Sequence, residues 1–99
     1  MITKKEYVKN LNTMLDELNT GIEKMEEESR SVKENIKVKL QARIKILQEK
    51  RDSVFSMVQE LKGSTENTWQ DLKKGTENHV NSLKTALSKT KAHFKKVKE

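Results

Sequence analysis

The chain has 99 residues, 36% of them charged and 32% hydrophobic, with no proline and no cysteine. That length allows one domain, and that polarity excludes a large compact core while suiting long helices that each bury one narrow stripe. The missing cysteines remove disulfides, thiolate chemistry and Cys-based zinc sites, and the net charge of +6 directs attention to acidic partners.

The opening Thr3-Lys4-Lys5-Glu6 has the spacing of a capping box. The Thr3 hydroxyl can accept from the Glu6 amide while the Glu6 carboxylate reaches back, and Ile2 and Tyr7 stand where a hydrophobic staple needs them. Residues 1–6 turn charged at once and lack the apolar core of a signal peptide. No apolar run later in the chain approaches the ~20 residues of a membrane span. The expected address is the cytoplasm.

A heptad follows. One column is Val8, Leu15, Ile22, Ser29 and Ile36, and its partner is Leu11, Leu18, Met25 and Val32. Alternating steps of three and four predict a left-handed coiled-coil seam. Gly21 costs about 1 kcal/mol relative to alanine but lies off the seam, so no break is expected there. Ser29 is the seam's weak point, and Glu26-Glu27-Glu28 reads as a solvated face and not a metal site. Ile36, Leu40, Ile44 and Leu47 then step by four, four and three, a stutter that locally unwinds a supercoil. Beyond it Leu47, Val54, Val58 and Leu61 continue the stripe, with Arg51 in a polar gap and a basic cluster of Lys33, Lys37, Lys39, Arg43 and Lys45 alongside. The pattern predicts one unbroken first helix over residues 3–62.

Lys62-Gly63-Ser64 is the punctuation. Gly63 suits a left-handed residue just past a helix end, and Ser64 or Thr65 can cap the next helix, giving a turn over 63–65 and a second helix over 65–97. An eleven-residue pattern runs through this region: Leu61-Lys62, Leu72-Lys73, Leu83-Lys84 and Phe94-Lys95, with Thr65-Glu66-Asn67 matched by Thr76-Glu77-Asn78. Such a repeat lays a nearly straight apolar stripe along a helix, and its continuity through Gly63 leaves one uninterrupted rod as the competing reading. Pairing favours the hairpin. If facing residue numbers sum to about 127, Trp69 meets Val58, Leu72 meets Phe55 and Val54, Val80 meets Leu47, Leu83 meets Ile44, Leu87 meets Leu40, and Phe94 falls between Val32 and Ile36.

The predicted fold is therefore all-α, a single long helical hairpin, or antiparallel coiled coil. Its second helix reaches back only to the neighbourhood of residue 30, so Val8, Leu11, Leu15, Leu18, Ile22 and Met25 lack a partner within the chain. A second copy can cover them, which predicts a homo-oligomer, a dimer or tetramer.

Nothing in the chain suggests catalysis. His79 and His93 are too far apart on one helix to share a metal, and there is no Gly-rich phosphate loop or nucleophile elbow. No enzyme activity and no cofactor are expected. The charge is uneven: from Lys84 onwards Lys84, Lys89, Lys91, Lys95, Lys96 and Lys98 are unanswered by any acid before Glu99. These lysines are candidates for contact with anions: Lys62, Lys73, Lys84 and Lys95 flank the apolar stripe as lysines do when they snorkel at a membrane surface, and Lys84 to Lys98 with the Lys33–Lys45 cluster offer an alternative, weak and salt-dependent contact with nucleic acid or the ribosome.

Taken in order, Thr3-Lys4-Lys5-Glu6-Tyr7, Leu15-Asp16-Glu17, Trp69-Gln70-Asp71-Leu72-Lys73-Lys74-Gly75, Leu83-Lys84 and Phe94-Lys95 resemble a family of small bacterial stress-response coiled-coil proteins prominent in cyanobacteria. The likeness runs nearly end to end, and the stretch from Trp69 to Gly75 is its specific part. Val80 replaces an aromatic, and a lysine-rich tail replaces a more acidic one, differences that bear on partners more than on fold. The eleven-residue period is also similar to that of late-embryogenesis-abundant proteins and exchangeable apolipoproteins. These resemblances imply a stress-associated protein that self-associates, engages protein clients or serves as a protective scaffold.

Overall fold

In a computed structural model, residues 2–98 are described, with the side chains of Val97 and Lys98 outside that set. Three α-helices, α1 (Lys4–Glu28), α2 (Glu34–Lys62) and α3 (Glu66–Lys98), fold up, down and up into a bundle, and no strand occurs among the described residues. The bundle measures 50 × 18 × 17 Å, and its long axis is what 33 residues of α3 require at about 1.5 Å per residue.

Thr3 starts α1 by accepting the Glu6 N–H at 3.2 Å, and Ile2 packs on the core beside it. The reversal between α2 and α3 is a compact hairpin. Gly63 ends α2 at φ −85°, ψ −2°, right-handed and not the left-handed conformation expected of it. Ser64 closes the turn by donating its hydroxyl to the Leu61 carbonyl at 2.6 Å, and Thr65 caps α3 by accepting from Thr68 N–H at 3.3 Å.

The first predicted rod is not continuous. It breaks after Glu28 into a short 3₁₀ turn over Ser29–Ser31, followed by extended Val32 (φ −93°, ψ 164°) and Lys33 (φ −61°, ψ 147°). Ser29 and Ser31 donate their hydroxyls to the Glu26 and Glu28 carbonyls at 2.7 and 3.0 Å, drawing off acceptors that a continuing helix would use. The decisive force is tertiary. Folding back buries Tyr7, Val8, Leu11, Leu15, Ile22 and Met25. Each is worth on the order of 1.5–3 kcal/mol against water, whereas each helical hydrogen bond forgone at the link costs roughly 1 kcal/mol.

That break removes the argument for an uncovered seam. Val8, Leu11, Leu15, Ile22 and Met25 are buried within this one chain and Leu18 is half-buried against the same core, all without a second copy. Helix α1 runs antiparallel to α2 and parallel to α3. Along α2, Lys4 meets the carbonyls of Lys62 and Ser64 and Arg51 donates to Asn19 at 2.7 Å; along α3, Tyr7 meets Lys73 and Gly21 meets Leu87. Gly21 thus sits at a close approach of α1 to α3, where an added Cβ would come 3.4 Å from the Leu87 side chain.

The core also takes Leu40, Ile44, Leu47, Val54, Val58 and Leu61 from α2, and Trp69, Val80, Leu83, Leu87 and Phe94 from α3, with Leu72 half-buried beside them. Phe55, expected opposite Leu72, is instead 53% exposed and lines a groove with Leu15, Asp16 and Asn19 of α1. The eleven-residue stripe is likewise modified. Its first copy is split by the turn, Leu61 ending α2 and Leu72 lying in α3, and from Thr76 the buried positions run Val80, Leu83, Leu87, Thr90, Phe94 in steps of four and three. Packing against two neighbours widens the stripe to include Thr76 and Thr90, whose hydroxyls donate to the Leu72 and Ala86 carbonyls at 2.9 and 2.8 Å.

Candidate anion-binding face

The antiparallel pairing of α2 with α3 brings together two basic segments far apart in the chain. Residues 34–50 and 82–98 lie at the same end of the bundle and together hold eleven Lys/Arg against Glu34 and Glu49, a strong positive excess in these two segments. Their meeting is direct: the Lys50 ammonium donates to the Ser82 hydroxyl at 2.7 Å, and Ile46, Glu49, Lys50 and Ser53 share a groove with Asn78, His79 and Ser82.

Helical spacing extends this groove towards the bundle end. Lys39 and Arg43 precede Ile46 on the same flank of α2, and Lys89 and Lys96 follow Ser82 on the facing flank of α3. All four are exposed, and Lys50 is half-exposed. Among them α2 leaves two β-branched residues in water, Val38 at 62% and Ile46 at 50% exposure, one turn on either side of exposed Ala42.

The lysines named from the sequence are split by the bundle. Lys84 and Lys91 line a groove between α1 and α3 that contains Glu17, and Lys91 and Lys95 line another with Lys24 and Glu28. Lys89 and Lys96 instead belong to the α2 side. The nearby part of α1 is acidic, with Asp16, Glu17, Glu23, Glu26, Glu27 and Glu28 against Lys24. The α1 flank therefore offsets Lys84, Lys91 and Lys95, while the α2–α3 flank stays strongly positive. The side chain of Lys98 lies outside the described residues. Sequence reasoning missed Val38 and Ile46, although both fall off the heptad; that displacement was the available signal.

At the opposite end the aromatic residues lock α1 to α3. The Tyr7 and Trp69 rings lie 5.8 Å apart at 39°, the Lys73 ammonium sits 5.4 Å and 6.0 Å from their centroids, and the Trp69 indole N–H donates to Glu66 at 3.3 Å. Burial, with the Glu77 carboxylate adding to it, pushes the Tyr7 phenol up to about 12, so it stays neutral. Between α1 and α2 a polar layer fills the gap at Arg51: its guanidinium binds Asn19 and Asp52, and Gln48 donates to Glu26. These contacts set register and pin helices. His79 lies in the α2–α3 groove beside Glu49 and Lys50, His93 is half-buried on α3, and no three His, Asp or Glu residues among those described group as metal ligands.

No protein-family model, curated protein or solved structure matches this chain. Among the described residues no helix is long and apolar enough to cross a membrane.

Proposed function

We propose that this is a non-enzymatic, stress-associated interaction protein that works through the outer surface of a self-contained three-helix bundle, docking its basic α2–α3 face onto a polyanionic surface. The observation that carries this reading is the convergence of Lys39, Arg43, Lys50, Lys89 and Lys96 at one end, with Glu49 as the acid among them. Cations gathered on one face raise the local potential and steer an anion to that face, an effect that scattered lysines of the same number do not produce.

The stress setting rests on the sequence resemblance, and a protective or client-binding role remains compatible with a charged docking face. Self-association through Val8, Leu11, Leu15, Ile22 and Met25 would require α1 to leave the bundle and re-expose what it buries. Sedimentation equilibrium tests that alternative: a concentration-independent dimer would favour it.

The electrostatic reading is tested with two double variants of equal net charge. Lys89→Glu with Lys96→Glu alters the α2–α3 flank, and Lys84→Glu with Lys91→Glu alters the α1 flank. On immobilised heparin the first is expected to elute at clearly lower salt than the second. Equal elution would show that net charge alone governs binding and would overturn the assignment of this face.

A further inference from the structure

Resting on that reading, we infer that the polyanionic surface is an anionic lipid bilayer, engaged edge-on by α2 with Val38 and Ile46 entering the headgroup layer between the lysines. The observation that singles out lipid is the pairing of charge with exposed aliphatic area. Val38, Ala42 and Ile46 occupy successive turns of α2, the two larger ones at least half exposed, while Lys39, Arg43 and Lys45 interleave with them.

The exposed part of each of these side chains adds no burial to the bundle, so a partner that removes it from water gains that hydrophobic free energy on docking. Headgroup phosphates suit the lysines, whose long stems let the ammonium stay at the phosphate level while the helix surface descends. A nucleic acid makes poorer use of this face. Bases are read by aromatic stacking or by planar guanidinium forks, and the face carries one arginine, Arg43, and no aromatic residue. Phe55, the exposed aromatic, lies in the α1–α2 groove beside Arg51 and Asp52.

The mode of attachment differs from that of a single amphipathic helix which folds on the membrane. The apolar stripe of α3, from Trp69 to Phe94, is already consumed by the core. The protein binds as a folded bundle, lying on the surface through one flank of α2 with Lys89 and Lys96 of α3 at its side. Helicity is therefore unchanged by binding, and Trp69 stays in its buried site next to Tyr7.

The test is co-sedimentation of the full chain with phosphatidylcholine vesicles, with mixed phosphatidylcholine–phosphatidylserine vesicles, and gel retardation of duplex DNA at the same physiological salt. The expected result is sedimentation with the serine-lipid vesicles alone, with no change in circular dichroism. The Val38→Ser, Ile46→Ser double variant, at exposed positions that leave the core intact, is expected to lower partitioning roughly tenfold while keeping wild-type elution from heparin. Lys89→Glu alone is expected to lower partitioning at least about fivefold. Vesicle binding that ignores the Val38/Ile46 change, or DNA retardation without vesicle binding, would overturn the lipid inference and leave the electrostatic reading standing. Failure to bind both heparin and vesicles would overturn both.

Discussion

The chain reverses direction twice, at 29–33 and at 63–65, by unrelated means. At 63–65 local chemistry suffices: Gly63 ends one helix, the Ser64 hydroxyl ties back to Leu61, and Thr65 caps the next. At 29–33 the local chemistry is weak. Lys33 precedes α2 with no side-chain cap, and Glu26 to Glu28 crowd the negative end of the α1 dipole with no basic residue in its last turn. The reversal at 63–65 is built by its own residues, whereas the reversal at 29–33 is held by what α1 buries along its whole length, from Tyr7 to Met25.

The sharpest way to break this contrast is to attack the burial that supports the weak reversal. Ile22 is fully buried on α1, and Ile22→Asp places an unpaired carboxylate in the core. A loss of roughly 3–5 kcal/mol is expected in urea denaturation, with α1 amides losing exchange protection before those of α2 and α3. Uniform loss across all three helices would show that the two reversals are not separable.

Lys4 ties the start of α1 to the 63–65 turn, donating to the carbonyls of Ser64 at 2.7 Å and Lys62 at 3.4 Å. Lys4→Met should cost about 1 kcal/mol, while Lys5→Met, at a neighbouring exposed position, should stay close to wild type. If both variants melt together, the link carries no weight.

Lys33→Pro reads the backbone of the weak reversal directly. Lys33 already has φ −61°, follows an extended Val32, and is exposed, the conditions proline prefers. The substitution should stabilise the protein by about 0.4–1 kcal/mol. In a continuous rod the same change would cost about 3 kcal/mol, so the sign of the change in denaturation midpoint decides between the two conformations.

The effect confined to the narrowest range of conditions is an alkaline pH dependence of α1 docking. Because the Tyr7 phenol is raised to about 12 in the folded state, its contribution is complete below the ordinary value of 10 and disappears as pH rises from there through 12. Ultraviolet titration of this single tyrosine should show the delayed ionisation, and Tyr7→Phe should flatten the alkaline decline. Ionisation near 10 would mean that Tyr7 is not docked beside Trp69.

Much of the architecture was legible because it is local or periodic. The Thr3 cap, the 63–65 turn and the apolar columns all follow from residue types at short spacings. The break at 29–33 was not, since serine and valine are tolerated in helices and no glycine or proline marks the place. Without that break Val8 to Met25 looked unpartnered. For the same reason a widened stripe on α3, with Thr90 buried, was invisible from a repeat that counts one neighbour. The candidate face was half legible: the lysine runs were evident, but their division between two flanks and their meeting with Lys39 and Arg43 depend on how the helices dock.

By itself the sequence determined that the fold is all-α, where the α2–α3 hairpin turns, and which side of each helix avoids water, because capping, turn formation and amphipathic period act within a few residues. Only the tertiary structure decided that α1 folds back to make a third member of the bundle, and therefore which cations share a surface. That decision belongs to burial summed over a whole helix, a quantity that no short stretch of chain contains.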